Sequence, residues 1–174
     1  MESIRIRYNG VLYRSKLEAT TAKLFDEYNI KFIYEPDVIE FRDGTKYMPD
    51  FYLPEQKIWV ECKGLMNDKD EHKITMLANE SKEKEVIIIT SDGHFSLVQA
   101  EGDTLDEVLW LGEEDVFFAH CKKCGKWYFS DTAGSWACRH CGFHDGNSTF
   151  DFSYFGEDGF PESDFQFDVW EDAD

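Results

Sequence analysis

A chain of 174 residues with 42% hydrophobic residues is long enough for one well-buried core and one small appendage, which excludes two large domains. Apolar runs such as Val86 to Ile89 fall far short of the roughly 20 residues that cross a bilayer, and Met1-Glu2-Ser3-Ile4-Arg5 lacks the basic-then-apolar order of an export signal, so a cytoplasmic protein with no membrane contact is expected. The net charge of -18 is unfavourable for approaching a polyanion, but it is uneven: ten Asp or Glu and no Lys or Arg lie from Asp145 onward, leaving 26 acids against all 18 bases before it.

Ile4 to Tyr8 alternates apolar with charged residues, Asn9-Gly10 signals a two-residue turn, and Val11 to Tyr13 returns as its partner strand. A helix is expected from Ser15 to about Tyr28, because Ser15-x-x-Glu18 has capping-box spacing and Leu17, Thr21, Leu24 and Tyr28 share a face. Extended segments follow at Lys31 to Tyr34 and Val38 to Phe41, with Asp43-Gly44 as a turn. Lys46 to Leu53 reads as one strand, since Met48 precedes a proline and is pushed toward extended geometry. Pro54-Glu55-Gln56 turns the chain into a strand from Lys57 to Lys63.

Asp68 to about Ser81 is expected to be an amphipathic helix that buries Ile74, Leu77 and Ala78, with Val86 to Thr90 a strand covered on both faces. Phe95 to Gln99 is expected to add an edge strand and Thr104 to Trp110 a short helix. This order of helix, antiparallel strands, helix and strand predicts an α/β (α+β) sandwich, a mixed sheet flanked by helices.

Cleaving a phosphodiester requires oxygen-loving cations held against the phosphate, an activated water, and charge stabilisation on the phosphoryl oxygens. In Trp59-Val60-Glu61-Cys62-Lys63, strand alternation sets Glu61 and Lys63 about 6.6 Å apart on one face and turns Val60 and Cys62 to the other. Asp50 lies one tight turn earlier and faces Glu61 across an antiparallel pair. Two neighbouring carboxylates repel each other and are favourable chiefly when a divalent cation or Lys63 neutralises them.

Tyr13-Arg14-Ser15-Lys16-Leu17-Glu18, Tyr34-Glu35-Pro36, Tyr47-Met48-Pro49-Asp50-Phe51 and Trp59-Val60-Glu61-Cys62-Lys63-Gly64 resemble the successive motifs of the PD-(D/E)XK nuclease superfamily, nearest to phage junction-resolving endonucleases and transposon-encoded end-cleaving nucleases. The resemblance spans roughly residues 10 to 92 and implies a restriction-endonuclease-like core. It makes Glu18, Asp50 and Glu61 ligands of a catalytic Mg2+ or Mn2+, with the backbone carbonyl of Cys62 beside them. Lys63 becomes the group that orients the attacking water and balances charge. In-line hydrolysis leaving a 5′-phosphate and a 3′-hydroxyl is the implied reaction.

Each position has a plainer alternative. Glu18 also fits the third residue of a capping box, Asp50 and Glu61 ordinary strand acids with Lys63 as their ion-pair partner, and Cys62 a small buried thiol. Lys69, His72 and Lys73 read as a solvated helix face rather than as phosphate contacts.

Cys121-Lys122-Lys123-Cys124-Gly125 and Cys138-Arg139-His140-Cys141-Gly142 are two similar knuckles separated by thirteen residues. Four thiolates at Cys121, Cys124, Cys138 and Cys141 close a tetrahedral Zn2+ site with no open position, so the zinc is structural, with a redox-active pair as the alternative. Trp127 to Phe129 and Ser135 to Ala137 would be the strands of a zinc ribbon. His120, His140 and His144 are expected to be spectators, and Lys122, Lys123, Lys126 and Arg139 offer a second contact to phosphates.

The expected organisation is a nuclease core over 1–112, a zinc ribbon over 113–149 and an acidic aromatic tail over 150–174. In that tail Phe150, Phe152, Tyr154, Phe155, Phe160, Phe165, Phe167 and Trp170 are interleaved with nine acids. Phe150 to Phe155 is expected to pack on the body with the rest as a solubilising tail; alternatively the tail mimics nucleic acid in a basic cleft, or hooks a partner protein through Phe165, Phe167 and Trp170. The implied function is a DNA endonuclease, with branched or structured DNA as a candidate substrate in recombination, replication or genome processing, in the host cytoplasm if phage-encoded. An RNA nuclease and a non-catalytic inhibitory or binding module are the competing functions, and a homodimer is an open possibility of assembly.

Overall fold

The computed structural model describes residues 5–91, 93–101, 108–112, 115–131, 137–146, 149–151 and 171–172. The first described element is a hairpin, β1 (Ile6–Tyr8) and β2 (Val11–Tyr13), with Tyr8 opposite Val11. Asn9 and Gly10 take φ of 48° and 80°, the left-handed pair that lets a two-residue turn follow the twist of its strands.

Helix α1 (Lys16–Glu27) starts on Ser15, whose Oγ accepts the Glu18 amide at 3.1 Å. It buries more than the expected stripe: Ala19, Ala22 and Phe25 are fully covered as well as Thr21 and Leu24. The small residues let neighbours approach from several sides.

Three short strands follow, β3 (Ile33–Tyr34), β4 (Ile39–Glu40) and β5 (Lys46–Tyr47), then β6 (Phe51–Leu53) and β7 (Ile58–Lys63). The single strand expected from Lys46 to Leu53 is therefore two strands in different sheets. Tyr47 pairs with Ile39 in a separate hairpin, Pro49 has no N–H to extend a ladder, and only from Phe51 does the chain join β7.

Helix α2 (Asp68–Glu80) buries Ile74, Leu77 and Ala78 as its periodicity predicts. Its start is a reciprocal capping box between Asn67 and Asp70. Then come β8 (Glu85–Thr90), β9 (Phe95–Ala100) and β10 (Val108–Leu111). The expected helix from Thr104 to Trp110 is not formed at its C-terminal end: Val108 to Leu111 pairs antiparallel with β9, so Phe95 to Gln99 lies inside the sheet rather than on its edge. The free ladder of β9 outweighs a local helical pattern in a run that suits a strand equally well. Residues 102–107 lie outside the described set.

The central sheet runs β10-β9-β8-β7-β6-β3, and its parallel pair is β7 with β8. Ile58, Val60, Ile87, Ile89, Phe51 and Leu53 face α1, while Trp59, Val86, Ile88 and Val98 face α2. Such fully buried apolar side chains contribute roughly 1.5–3 kcal/mol each, enough to hold the strand register on which the acidic residues depend.

The remaining strands are β11 (Val116–Cys121), β12 (Trp127–Asp131), β13 (Phe150–Asp151) and β14 (Glu171–Asp172). β12 pairs with β11; of the second ribbon strand expected at Ser135 to Ala137, residues 135 and 136 lie outside the described residues. Phe118 and Phe129 enter the α1 core, and Tyr28 meets Phe118 at 5.4 Å and Trp127 at 4.9 Å. Phe150, 4% exposed, joins the cysteine cluster, as the first part of the tail was expected to do. β14 pairs with β1; the calls on Phe152 to Trp170 fall outside the described residues. Among the described residues no helix is long and apolar enough to cross a membrane.

Candidate active site and a four-cysteine cluster

Continuing the register Phe51↔Val60 by one position sets Asp50 opposite Glu61. Asp50 Oδ2 accepts the Cys62 amide at 2.8 Å, so the neighbouring strand orients its carboxylate. Glu61 is fully buried, and neither of its carboxylate oxygens has a hydrogen-bond partner. Tyr47 and Asp50 are polar neighbours that exert electrostatic influence on it, yet neither closes a hydrogen bond of ordinary geometry. Lys63 Nζ stands 3.9 Å from Glu61 Oε2 and 3.6 Å from Asp70 Oδ1.

Glu18 comes from the other layer. Its amide caps onto Ser15, but its side chain turns into the body, 8% exposed, and accepts a hydrogen bond from the Tyr34 hydroxyl. The plain capping role therefore accounts for the backbone of Glu18 and not for its carboxylate. Tyr34 is fixed in turn by the Arg14 amide at 3.3 Å and by its ring contact with Phe51 at 5.2 Å. Arg14 pairs with Glu35 at 2.7 Å, and the Glu35 amide donates to the Asp50 carbonyl at 2.8 Å from a left-handed backbone, φ 46°.

The electrostatics of the four predicted residues are mutual. Burial, then the charge of Asp50, raises Glu18 and raises Glu61 well above the ordinary carboxylate range. Burial also raises Asp50, against the Cys62 amide and Lys63. For Lys63 burial acts downward, but Glu61, Asp50 and Asp70 together lift it above its ordinary value. The pocket thus brings Asp50, Glu61 and Lys63 together, with Glu18 coupled to them through Asp50, and it is short of positive charge. An orphaned buried carboxylate beside a second one fits a hard divalent cation, which prefers oxygen ligands.

Cys62 is half-buried, with its Sγ 3.5 Å from Thr21 Oγ1, in keeping with its reading as a packed thiol. Lys69 and His72 are exposed, and Lys73 lies 5.8 Å from the centre of the Tyr47 ring. Tyr34 and Asp70 were missed as supports of the site. Tyr34 carries no signal beyond its motif, whereas Asn67-x-x-Asp70 was legible as a cap and places Asp70 in the first turn after Lys63.

At the other module, Cys121, Cys124, Cys138 and Cys141 bring their sulfurs within 4.8 Å of one another, all as free thiols. Sγ separations of 3.8 Å for Cys121 to Cys141 and 3.7 Å for Cys124 to Cys138 match the edge of a tetrahedron whose centre is about 2.3 Å from each sulfur. Amides of Lys123, His140 and Cys141 point at sulfur at 3.4 Å, and Gly125 and Gly142 take φ of 71° and 73° to close the knuckles. Lys126 and Arg139, expected to offer charge to phosphate, instead pair with Glu55 and with Glu85, while Lys122 and Lys123 are exposed.

Residues 2–128 match the family described as Phage endonuclease I. The chain is 31% identical over 114 residues to Endodeoxyribonuclease 1 of Enterobacteria phage T3, covering 63% of this chain and 72% of that protein. It is 33% identical over 99 residues to Endonuclease I of Escherichia phage T7, covering 55% of this chain and 65% of that protein.

Proposed function

The chain belongs to the phage endonuclease I family, and on that premise we propose that it is a DNA endonuclease whose substrates are branched or otherwise structured DNA of recombination, replication or genome processing. The name of the T3 relative favours DNA over RNA, and the names of both relatives favour an enzyme over a binding module. The observation that carries the reading is Glu61, fully buried beside Asp50 with neither carboxylate oxygen hydrogen-bonded.

The site is read as a PD-(D/E)XK pocket in which Asp50 and Glu61, with Glu18 and the Cys62 carbonyl, would hold Mg2+ or Mn2+. Such an ion supplies Lewis acidity at the phosphoryl oxygens and lowers the pKa of the attacking water. Asp50 needs no reorientation, because the Cys62 amide already fixes one of its oxygens. Glu18 is held ready by the Tyr34 hydroxyl. Lys63 stays an ammonium, since its acidic neighbours raise its pKa. It is therefore suited to orient water and balance phosphoryl charge, not to accept a proton.

The four cysteines are read as a structural Zn2+ site of the 113–149 module, docked on the 1–112 core. A homodimer would present two acidic pockets to a branched substrate.

The test is cleavage of labelled linear duplex, single-stranded, four-way branched and RNA substrates with and without Mg2+, with Lys63→Ala as the control. Mg2+-dependent cleavage favouring branched DNA is expected. Equal cleavage of RNA overturns the substrate assignment, and activity that survives Lys63→Ala overturns the site assignment.

A further inference from the structure

The turn between β6 and β7 joins the strand after Asp50 to the strand of Glu61 and Lys63, and two of its residues reach the cysteine module. Gln56 is 6% exposed. Its Oε1 accepts the Phe129 amide at 3.0 Å and its Nε2 donates to the Trp127 carbonyl at 3.4 Å. Groups two residues apart lie on one edge of a strand, so a single side-chain amide takes the place of a neighbouring strand along β12. The adjacent Glu55 holds Lys126 at 3.0 Å and Lys31 at 3.4 Å. Lys126 directly follows the glycine of the first knuckle, and its carbonyl accepts the Cys121 amide at 2.9 Å.

The second knuckle is anchored to the same end of the sheet. Arg139 pairs with Glu85 at the start of β8 and reaches Asp131 at 3.8 Å, while Gln99 bonds Glu85 at 3.0 Å and Asp131 at 3.3 Å. A strand rises roughly 3.3 Å per residue, so Ile58 at this end and Lys63 at the other are about 17 Å apart. The cysteines are thus remote from the acidic pocket but bonded to the turn that sets its two strands.

The geometry points to Gln56 as a positioning residue that couples metal occupancy of the four-cysteine cluster to the rigidity of the β6–β7 hairpin carrying the acidic residues. This rests on the reading of that cluster as a zinc site. With metal bound, the knuckles hold β12 in place and Gln56 transmits the constraint to the turn. Without it, β12 loses the restraint of the knuckles and the turn loosens.

Hydrogen exchange of the full-length protein tests this, comparing zinc-loaded and chelator-stripped samples after metal analysis, with amides of 58–63 as the readout and those of 68–80 as the internal reference. Zinc removal is expected to speed exchange in 58–63 about tenfold, and by much less in 68–80. Gln56→Ala with zinc bound should already show most of that acceleration, and stripping should add less than about threefold. Gln56→Glu keeps the acceptor for Phe129 but loses the donor to Trp127, and should fall between; it carries the test if the alanine variant does not fold. Zinc bound with exchange in 58–63 unmoved by its removal, a uniform response of 58–63 and 68–80, or a full response retained in both variants overturns the coupling alone. Absence of bound zinc in the purified protein overturns the metal reading, and the coupling with it.

Discussion

Replacing Glu61 by Gln separates what the fold wants from what the chemistry needs. The wild-type carboxylate is wholly buried, its oxygens have no hydrogen-bond partner, and both burial and Asp50 push its pKa well above 4.5. A carboxyl whose folded pKa is raised binds its proton more tightly in the folded state. In the absence of a divalent cation, the Glu61 contribution to stability is therefore undiminished below pH 4.5 and falls as pH rises from there toward the folded pKa. Glu18 and Asp50, also raised, add to the same slope.

An amide of nearly the same shape cannot ionise, so Glu61→Gln should match the wild type near pH 4 and exceed it at pH 8. Relief of a buried carboxylate that lacks hydrogen bonds is worth about 2 kcal/mol, or about 4–8 °C in Tm for a chain of this size. Lys63 keeps Asp70 at 3.6 Å, so the substitution leaves no stranded ammonium to cancel the gain. Addition of Mg2+ should raise the wild-type Tm at pH 8 and leave the variant unmoved, while cleavage by the variant drops by about 10³ or more, as expected when a ligand of a catalytic metal is lost. Thermal unfolding at pH 4 and pH 8, in chelator-free buffer with and without Mg2+, reads all of this. A variant less stable than wild type at pH 8 without Mg2+ would refute the reasoning, because it would mean the Glu61 carboxylate is already satisfied by the protein.

Lys63→Ala should abolish cleavage yet leave cooperative unfolding intact, since its side chain stands at the rim of the core; retained affinity for uncleaved substrate in a gel-shift assay separates this from misfolding. Tyr34→Phe removes the hydroxyl that restrains Glu18 while keeping the ring against Phe51, so Mg2+ activation should require a several-fold higher concentration with little change in Tm; unchanged Mg2+ dependence would show that Glu18 needs no such support. Deleting residues 150–174 removes β14 from the edge of β1, Phe150 from the cysteine cluster, and half of the acidic excess. Cleavage at low salt should rise if the tail competes with DNA, and identical salt profiles for the two chains would discard that role.

The two helices, the first hairpin and the acidic site were legible for local reasons. Asn9-Gly10 has a backbone demand that few other pairs meet, Ile74, Leu77 and Ala78 recur at helical period, and a period of two forces Glu61 and Lys63 onto one face. The misread elements were decided by partners distant in the chain. Lys46 to Leu53 divides because Ile39 claims Tyr47 while Val60 claims Phe51, and Val108 to Leu111 is a strand because β9 offers an open edge.

The amino-acid order by itself singled out the candidates for the chemistry: the acids and lysine of the motifs, and four cysteines in two knuckles. Only the tertiary structure decided that Glu61 lies in full burial without a hydrogen-bond partner, that Tyr34 holds Glu18, and that Gln56 ties the cysteine module to the turn of the acidic hairpin. Burial and long-range hydrogen bonds depend on which segments close around a side chain, and no local spacing specifies that closure.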